Sequence, residues 1–400
     1  MAAGKISIQA NDGKVAGVVF EDGASSNVTV TVPKDGGKLA ADSLVVHKTG
    51  DETIAGVKTF SDGVKVQNRN VSPFSGFKNY IINGNFNVWQ RGTSFVADST
   101  NPLPYTADRW RTAQQFAVGA LTVLKSTLSY GGVTYNSEKI VASTAVVVSG
   151  ESQCMPFYYK IEGSDAYSLN GKPFTVSFLF NTNVAGTYPI TFTTSADGGL
   201  GNNTYCTTFN AVSGVQKITI TIPAVNTIGY TNGYGLRIII GSVSSINTTD
   251  ITNTWLANSH SIAHLANSFN WAGVVGNYIE IAQVQLEEGS VATPFENRPY
   301  GLELSLCQRY YEAGGDSWGG GSSRWSGYTI SGVSYVATTK YKVRKRISPT
   351  IVLSNEYTYG FSSTVGTVNG GPDGFAEERV ASITTNSATF VSSFTASAEL

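Results

Sequence analysis

Residues 174–286 are cut into short β-prone runs by turn residues, and this grain constrains the chain more than any other feature. Residues 174–180 alternate apolar with polar side chains behind Gly171, Lys172 and Pro173. Residues 189–194, 215–222, 236–240 and 278–286 follow, separated by Asp197-Gly198-Gly199, Asn232-Gly233 and Gly241. A period of two places alternate side chains on one face, as a half-buried strand requires. Strands at this spacing point to a β-sandwich. Helical spacing is confined to residues 301–311, where Leu302, Leu306 and Tyr310 would share a face. Strand patterns then return at 328–336, 340–347, 350–353, 357–361 and 388–394, outlining a small separate C-terminal sandwich.

Composition agrees. Charged residues make up 14% of the chain and aromatics 11%, too little charge and too many rings for disorder. A formal net charge of −1 gives no field towards nucleic acid or an anionic membrane. No apolar run approaches the about 20 residues of a membrane helix, so no membrane insertion is expected. Cys154, Cys206 and Cys307 are odd in number and far apart, which suits neither a disulfide framework nor a zinc site. They fit synthesis in a reducing cytoplasm. Residues 1–7 lack the apolar stretch of a signal peptide, so an extracellular role implies release by lysis.

Two parts precede the sandwich. In residues 1–46, Asp12-Gly13 separates runs at 6–9 and 15–20, and Asp22-Gly23 precedes one at 28–32; Asp-Gly is a hairpin signal. So small a module needs sister copies or a docking protein to bury enough surface. Residues 44–66 are a thin ribbon punctuated by Gly50, Gly56 and Gly63. One copy cannot hide its apolar face, whereas three wound about an axis can, so a parallel homotrimer is expected. Pro73 and Gly76 mark the end of a connector spanning 47–78.

The densest stretch begins at Asn79. Tyr80-Ile81-Ile82, the turn pair Asn83-Gly84 and the alternating residues 85–90 read as strand, turn and strand. Ala107-Asp108-Arg109-Trp110 follows. Trp89 and Trp110 are expected to share a core, with Asp108 and Arg109 as a core ion pair; a sugar-binding Asp-Arg-Trp triad is the alternative. The run 80–95, this tetrapeptide and residues 283–300 (Gln-Val-Gln-Leu-Glu-Glu-Gly-Ser-Val-Ala-Thr-Pro-Phe-Glu-Asn-Arg-Pro-Tyr) resemble the opening and closing of a carbohydrate-binding-module-like domain of tailed-phage tail fibres. Residues 301–312 are similar to the segment that follows it there, and Gly50-Asp51-Glu52-Thr53-Ile54 with Lys58-Thr59-Phe60 resembles a phage-fibre connector.

The resemblance implies a jelly roll over 79–300. It also implies a receptor-binding protein, mounted on a virion tail or baseplate protein through residues 1–46 and meeting host polysaccharide or lipopolysaccharide through its distal domains. Related modules often hold calcium near the first and last strands. Here Asn85, Asn87, Gln283 and Gln285 stand where carboxylates are wanted, and amides are weaker ligands, so neither metal nor other cofactor is expected. The whole chain is expected to be all-β: an N-terminal β module, an intertwined connector, a jelly-roll-like sandwich and a tip domain (301–400) of short helix and small sandwich.

Candidate chemistry lies mostly in loops. Asp316 to Tyr328 sets Trp318 and Trp325 around glycines, serines and Arg324, a mixture suited to stacking on a sugar and bonding its hydroxyls. Trp318, Arg324, Trp325 and Tyr328, with Tyr357 and Tyr359, are the main glycan candidates; packing against the loop's own domain or a sister chain is the alternative. Tyr230, Tyr234, Trp255 and Trp271 are secondary candidates. Lys340, Lys342, Arg344 and Arg346 alternate along a predicted strand, either as an anion-binding stripe or as edge protection. His260 and His264 have helical zinc spacing but no evident third ligand. Acids in 79–300 are scattered, and no nucleophile motif is present, which favours binding without turnover. A depolymerase or a purely structural fibre subunit are the alternatives.

Overall fold

Phe174, Val176, Phe178 and Phe180 all face one way because side chains alternate along a strand, and all four are buried. They meet an opposing layer edge to face: Phe174 against Phe192 at 5.7 Å, Phe180 against Tyr188 at 4.9 Å, Phe178 against Phe209 at 5.5 Å. These contacts join two antiparallel sheets. The first runs, in spatial order, Gly214–Ile222, Phe174–Thr182, Tyr278–Glu288, Val133–Val147, Val118–Tyr130 and Ser94–Ala97. The second runs Val243–Ser244, Gln153–Glu162, Tyr234–Ile240, Gly186–Thr194, Thr204–Ala211 and Trp255–Leu256, with Trp110–Gln115 also paired to Gln153–Glu162. Successive strands switch sheets repeatedly, the connectivity of a jelly-roll-like sandwich. The fold is all-β.

The computed structural model describes residues 5–9, 15–19, 64–66, 69–71, 77–115, 118–148, 153–195, 203–230, 233–244, 253–257, 269–315, 323–362 and 367–400. The chain divides into two compact units, Met1–Val71 and Ser72–Leu400. In the first, Lys5–Gln9 pairs with Val15–Val19 and Val64–Val66 with Arg69–Val71, each antiparallel. The expected strand at 28–32, most of the 44–66 ribbon, His260, His264 and Trp318 lie outside the described residues.

Several expectations are corrected. Residues 80–90 form no hairpin. The chain instead crosses the sandwich irregularly, with Asn83 and Phe86 both at positive φ. Its hydrogen bonds go to distant partners that local pattern cannot reveal. Asn83 Nδ2 donates to Val88 O (2.9 Å) and Asp108 O (3.0 Å), and Asn83 Oδ1 accepts from Val88 N (3.0 Å). Its carbonyl accepts from Trp110 Nε1 at 3.1 Å, and its N–H donates to Glu303. Gly84 is pressed on the opposite strand: a Cβ there would stand 2.1 Å from Val284 O. The helix forms as Tyr300–Gln308, but its buried side chains are Glu303, Cys307 and Gln308, not Leu302 and Leu306. Glu303 turns inward because Asn83 N–H and Arg298 are its partners.

Beyond the helix stand two further sheets. Thr385–Ser397 is flanked by Tyr311–Gly314 and Ser323–Thr329 on one side and Thr350–Tyr359 on the other. Ser334–Lys340, Gly374–Val380 and Thr367–Gly371 form the second. The predicted strand at 328–336 is thus two strands split near Gly332, and the two predicted at 350–353 and 357–361 are one strand, Thr350–Tyr359, with a bulge at Asn355/Tyr357. Residues 341–349 are not a strand. Without a strand there the alternating stripe of Lys340, Lys342, Arg344 and Arg346 does not form, and Lys345 is fully buried, its ammonium bonded to Glu312 at 2.5 Å and Gln308 O at 2.6 Å.

These sheets are fixed to the jelly roll by charge. Asp108 and Arg109 do not pair with each other. Asp108 accepts from Gln90 N at 2.9 Å, while Arg109 binds Glu399 and stacks on Tyr310 at 3.6 Å. Arg91 holds the other Glu399 oxygen at 3.0 Å and lies 3.5 Å over Tyr311. Glu162 takes Arg309 at 3.1 Å and the Tyr310 hydroxyl at 2.9 Å. Both residues lie in the turn that leads into Trp110–Gln115, Arg109 at positive φ, and their side chains leave it towards separate partners.

Three outcomes are expected. Asn83→Ala strands the buried Val88 N–H and should cost about 3 kcal/mol, read by urea unfolding. Glu399→Ala leaves two buried guanidinium groups without their carboxylate and should cost about 3–5 kcal/mol, whereas Arg109→Met with Glu399→Leu leaves only Arg91 stranded and should recover part of it. Burial pushes the Glu138 carboxyl up to about 7, opposed by hydrogen bonds from Thr106 and Ala107. With the folded pKa above the unfolded one, the unfolded state releases its proton first, and stability falls as pH rises from about 4.5 to about 7. Glu138→Gln should flatten that fall in melting temperature.

Candidate functional site

The exposed face of the Thr385–Ser397 sheet gathers Arg324, Tyr328, Tyr357 and Tyr359 of the main glycan candidates. Register sets Arg324, Val391 and Tyr357 in one row across three strands, and Ser326, Thr389 and Tyr359 in the next. Tyr328 continues the first strand by alternation. Tyr328, Tyr357 and Tyr359 are 53%, 45% and 46% exposed, enough for each ring to offer a face to a ligand. No ion pair involves Arg324 among the described residues. Thr389 Oγ1 donates to Trp325 O at 2.8 Å, tying the central strand to its neighbour. The result is a flat surface of three phenols, one guanidinium and aliphatic hydroxyls, suited to a chain of sugars lying across the strands.

Trp325 is not part of that surface. Alternation turns it inward, where it packs on Tyr335 at 4.7 Å, Phe361 at 5.4 Å and Phe390 at 6.5 Å. Below it, Arg379 bonds Glu377 at 2.7 Å and Ser392 at 2.8 Å, a buried polar link between the two C-terminal sheets. This network and the rings above it hold the outer face flat. Arg344, from the supposed basic stripe, pairs with Asp373 at 2.5 Å on the surface. Arg346 donates to Ala398 O at 3.0 Å.

The secondary candidates are not brought together. Trp271 is buried with its Nε1 on Gly241 O at 2.9 Å, and so has no face for a ligand. Trp255 packs between Tyr205 and Phe174 and donates to Pro223 O. Tyr230 is exposed and meets Tyr167 edge on at 5.4 Å. Tyr234 lies elsewhere, beneath the Lys160 ammonium at 4.8 Å. Of the residues assigned to the core, Trp110 is buried between Phe86 and Tyr159. Trp89 is half-buried at the rim, stacked on Phe95 at 6.4 Å.

Asn85, Asn87, Gln283 and Gln285 surround no metal-like cluster; among the described residues no group of three or more His, Cys, Asp or Glu is so placed. Gln285 donates to Glu287 at 2.7 Å, and Lys78 Nζ reaches Pro294 O at 2.5 Å. A lysine ammonium thus sits among the oxygens beside the last sandwich strand. Sequence reasoning missed Ser326 and Thr389, whose signal was alternation with Arg324 and with Val391. It also missed Arg111, Lys160 and Arg237, which come from three strands far apart in the chain.

No family model and no curated protein sequence matches this chain. Solved structures similar to it include the enzymatically active domain of bacteriophage CBA120 tailspike protein 4 (12% identity, 53% of this chain and 21% of that one, TM-score 0.29). Another is the family 11 carbohydrate-binding module of the Clostridium thermocellum cellulase Lic26A-Cel5E (11% identity, 46% and 91% covered, TM-score 0.27). A third is a cyclase from Fischerella sp. (10% identity, 55% and 100% covered, TM-score 0.27). The chain spans about a fifth of the tailspike domain.

Proposed function

We propose that this chain is a tail-fibre receptor-binding protein that attaches a phage particle to a host surface polysaccharide or lipopolysaccharide without cleaving it. The observation that carries the reading is the outer face of the Thr385–Ser397 sheet, where Arg324, Tyr328, Tyr357 and Tyr359 stand together and exposed. The tail-fibre context rests on the resemblance at residues 80–95, 107–110 and 283–312. In this reading the protein is a parallel homotrimer made in the bacterial cytoplasm and released by lysis. It docks on a tail or baseplate protein through residues 1–46. Each sugar hydroxyl that trades water for protein contributes only about 0.5–1.5 kcal/mol, so three linked copies of a weak face supply the useful avidity.

The test pairs two kinds of variant. Arg324→Ala with Tyr357→Ala and Tyr359→Ala should leave the melting temperature nearly unchanged while adsorption to host cells falls about tenfold or more. Trp325→Ala should instead destabilise the C-terminal sheets by about 3–5 kcal/mol, since it removes a packed indole. Binding equal on wild-type and polysaccharide-deficient cells would overturn the glycan reading. Reducing ends released from the polysaccharide would overturn attachment without turnover.

A further inference from the structure

A second site is carried by the outer face of the other large sheet, where Trp110–Gln115, Gln153–Glu162 and Tyr234–Ile240 lie side by side. Tyr158 and Lys160 are two apart on one strand and share a face. Register sets Arg111 opposite Tyr158 and Arg237 opposite Lys160. Three cations therefore crowd one patch, and none has a carboxylate partner among the described residues. The nearby acidic side chains are already engaged, Glu399 by Arg91 and Arg109 and Glu162 by Arg309 and Tyr310, and Leu400 O in the cleft lining accepts from the Tyr105 hydroxyl at 3.0 Å. Arg111 gives one N–H to Leu103 O and Arg237 one to Thr193 Oγ1, but the Nε of each is buried and bonded to nothing described. Burial first, and then Arg111, Arg237, Arg109 and Arg346, bring the Lys160 ammonium down to about 8. Tyr105, Tyr158, Arg109, Arg111, Lys160 and Leu400 line a shallow surface cleft without enclosed volume at this patch, so a ligand would lie on it and not within it. The Arg111 guanidinium stands 4.6 Å from the Tyr105 ring and 5.8 Å from that of Tyr158.

We propose that this patch binds an acidic sugar unit, its oxyanion held by Arg111 and Lys160 in the cleft with Arg237 beside Lys160, and its ring resting on Tyr158. Like charges gathered at one patch repel, and an arriving carboxylate or phosphate relieves that repulsion while bonding guanidinium and ammonium N–H groups that have no carboxylate side chain as partner. The anion half of the inference follows from this patch alone; the sugar half rests on the glycan-binding reading above.

The experiment is calorimetric titration of the full-length chain with digalacturonate, galactose 1-phosphate, galactobiose and inorganic phosphate. One or both acidic sugars should bind, the neutral disaccharide should not at equal concentration, and added salt should weaken binding. Arg111→Gln and Lys160→Gln should each weaken it about 10-fold to 100-fold without lowering the melting temperature, since each removes a charged hydrogen-bond donor and relieves repulsion in the free protein. Lys217→Gln, which changes net charge equally on the other sheet, should have no effect. Failure of both acidic sugars to bind overturns the proposal, as does equal binding of galactobiose or wild-type affinity in the two cleft variants. Inorganic phosphate binding as tightly as the acidic sugars overturns the sugar half. Cell adsorption is not read here, so the result is independent of the face around Tyr357.

Discussion

The side chain and backbone of Asn83 tie together segments that no sheet connects. One residue at positive φ satisfies Val88, Asp108 and the Trp110 indole, and its own N–H is taken by Glu303 on the helix. Asparagine suits the position because its short amide offers donor and acceptor together and tolerates the left-handed region. Buried backbone groups outside a ladder must find partners, and the irregular chain from 79 to 92 finds them through Asn79 and Asn83. Trp110 is then oriented against Phe86 and Tyr159, and Arg109 is delivered to the far side.

What Arg109 is delivered to is the C-terminal segment. Glu399 bridges Arg91 and Arg109, each guanidinium also lies over a tyrosine from the chain just past the helix, and Glu162 gathers Arg309 and Tyr310. An apolar interface would tolerate sliding. Paired charges in a poorly solvated joint fix register and angle, because a misplaced partner leaves a charge buried and unpaired. The joint therefore sets how the tyrosine face is presented, although none of its residues belongs to that face.

The two proposed surfaces differ in physical character. The C-terminal face is flat, exposed and hydroxyl-rich, with a single cation, and would read shape and hydrogen bonding. The shallow cleft beside Tyr158 is cationic and would read charge. Their chemistries would favour different units of one heterogeneous polysaccharide.

Sequence alone determined the elements that local physics controls. Alternation located the strands Phe174–Thr182, Gly186–Thr194, Gly214–Ile222, Tyr234–Ile240 and Tyr278–Glu288, and spacing located the helix Tyr300–Gln308. It also picked out Arg324, Tyr328, Tyr357 and Tyr359 by type. It could not say that these four share a face while Trp325, one residue from Arg324, turns into the core; that is decided by which strands pair and in what register. Nor could it foresee that Asn83-Gly84 is no hairpin turn, that Lys345 is buried, or that Arg109 belongs to Glu399 and not to Asp108. Those outcomes rest on contacts outside any local repeat, from Lys345 with Glu312 to Arg109 with Glu399, where a buried polar or charged group takes whichever partner the closed fold brings within reach.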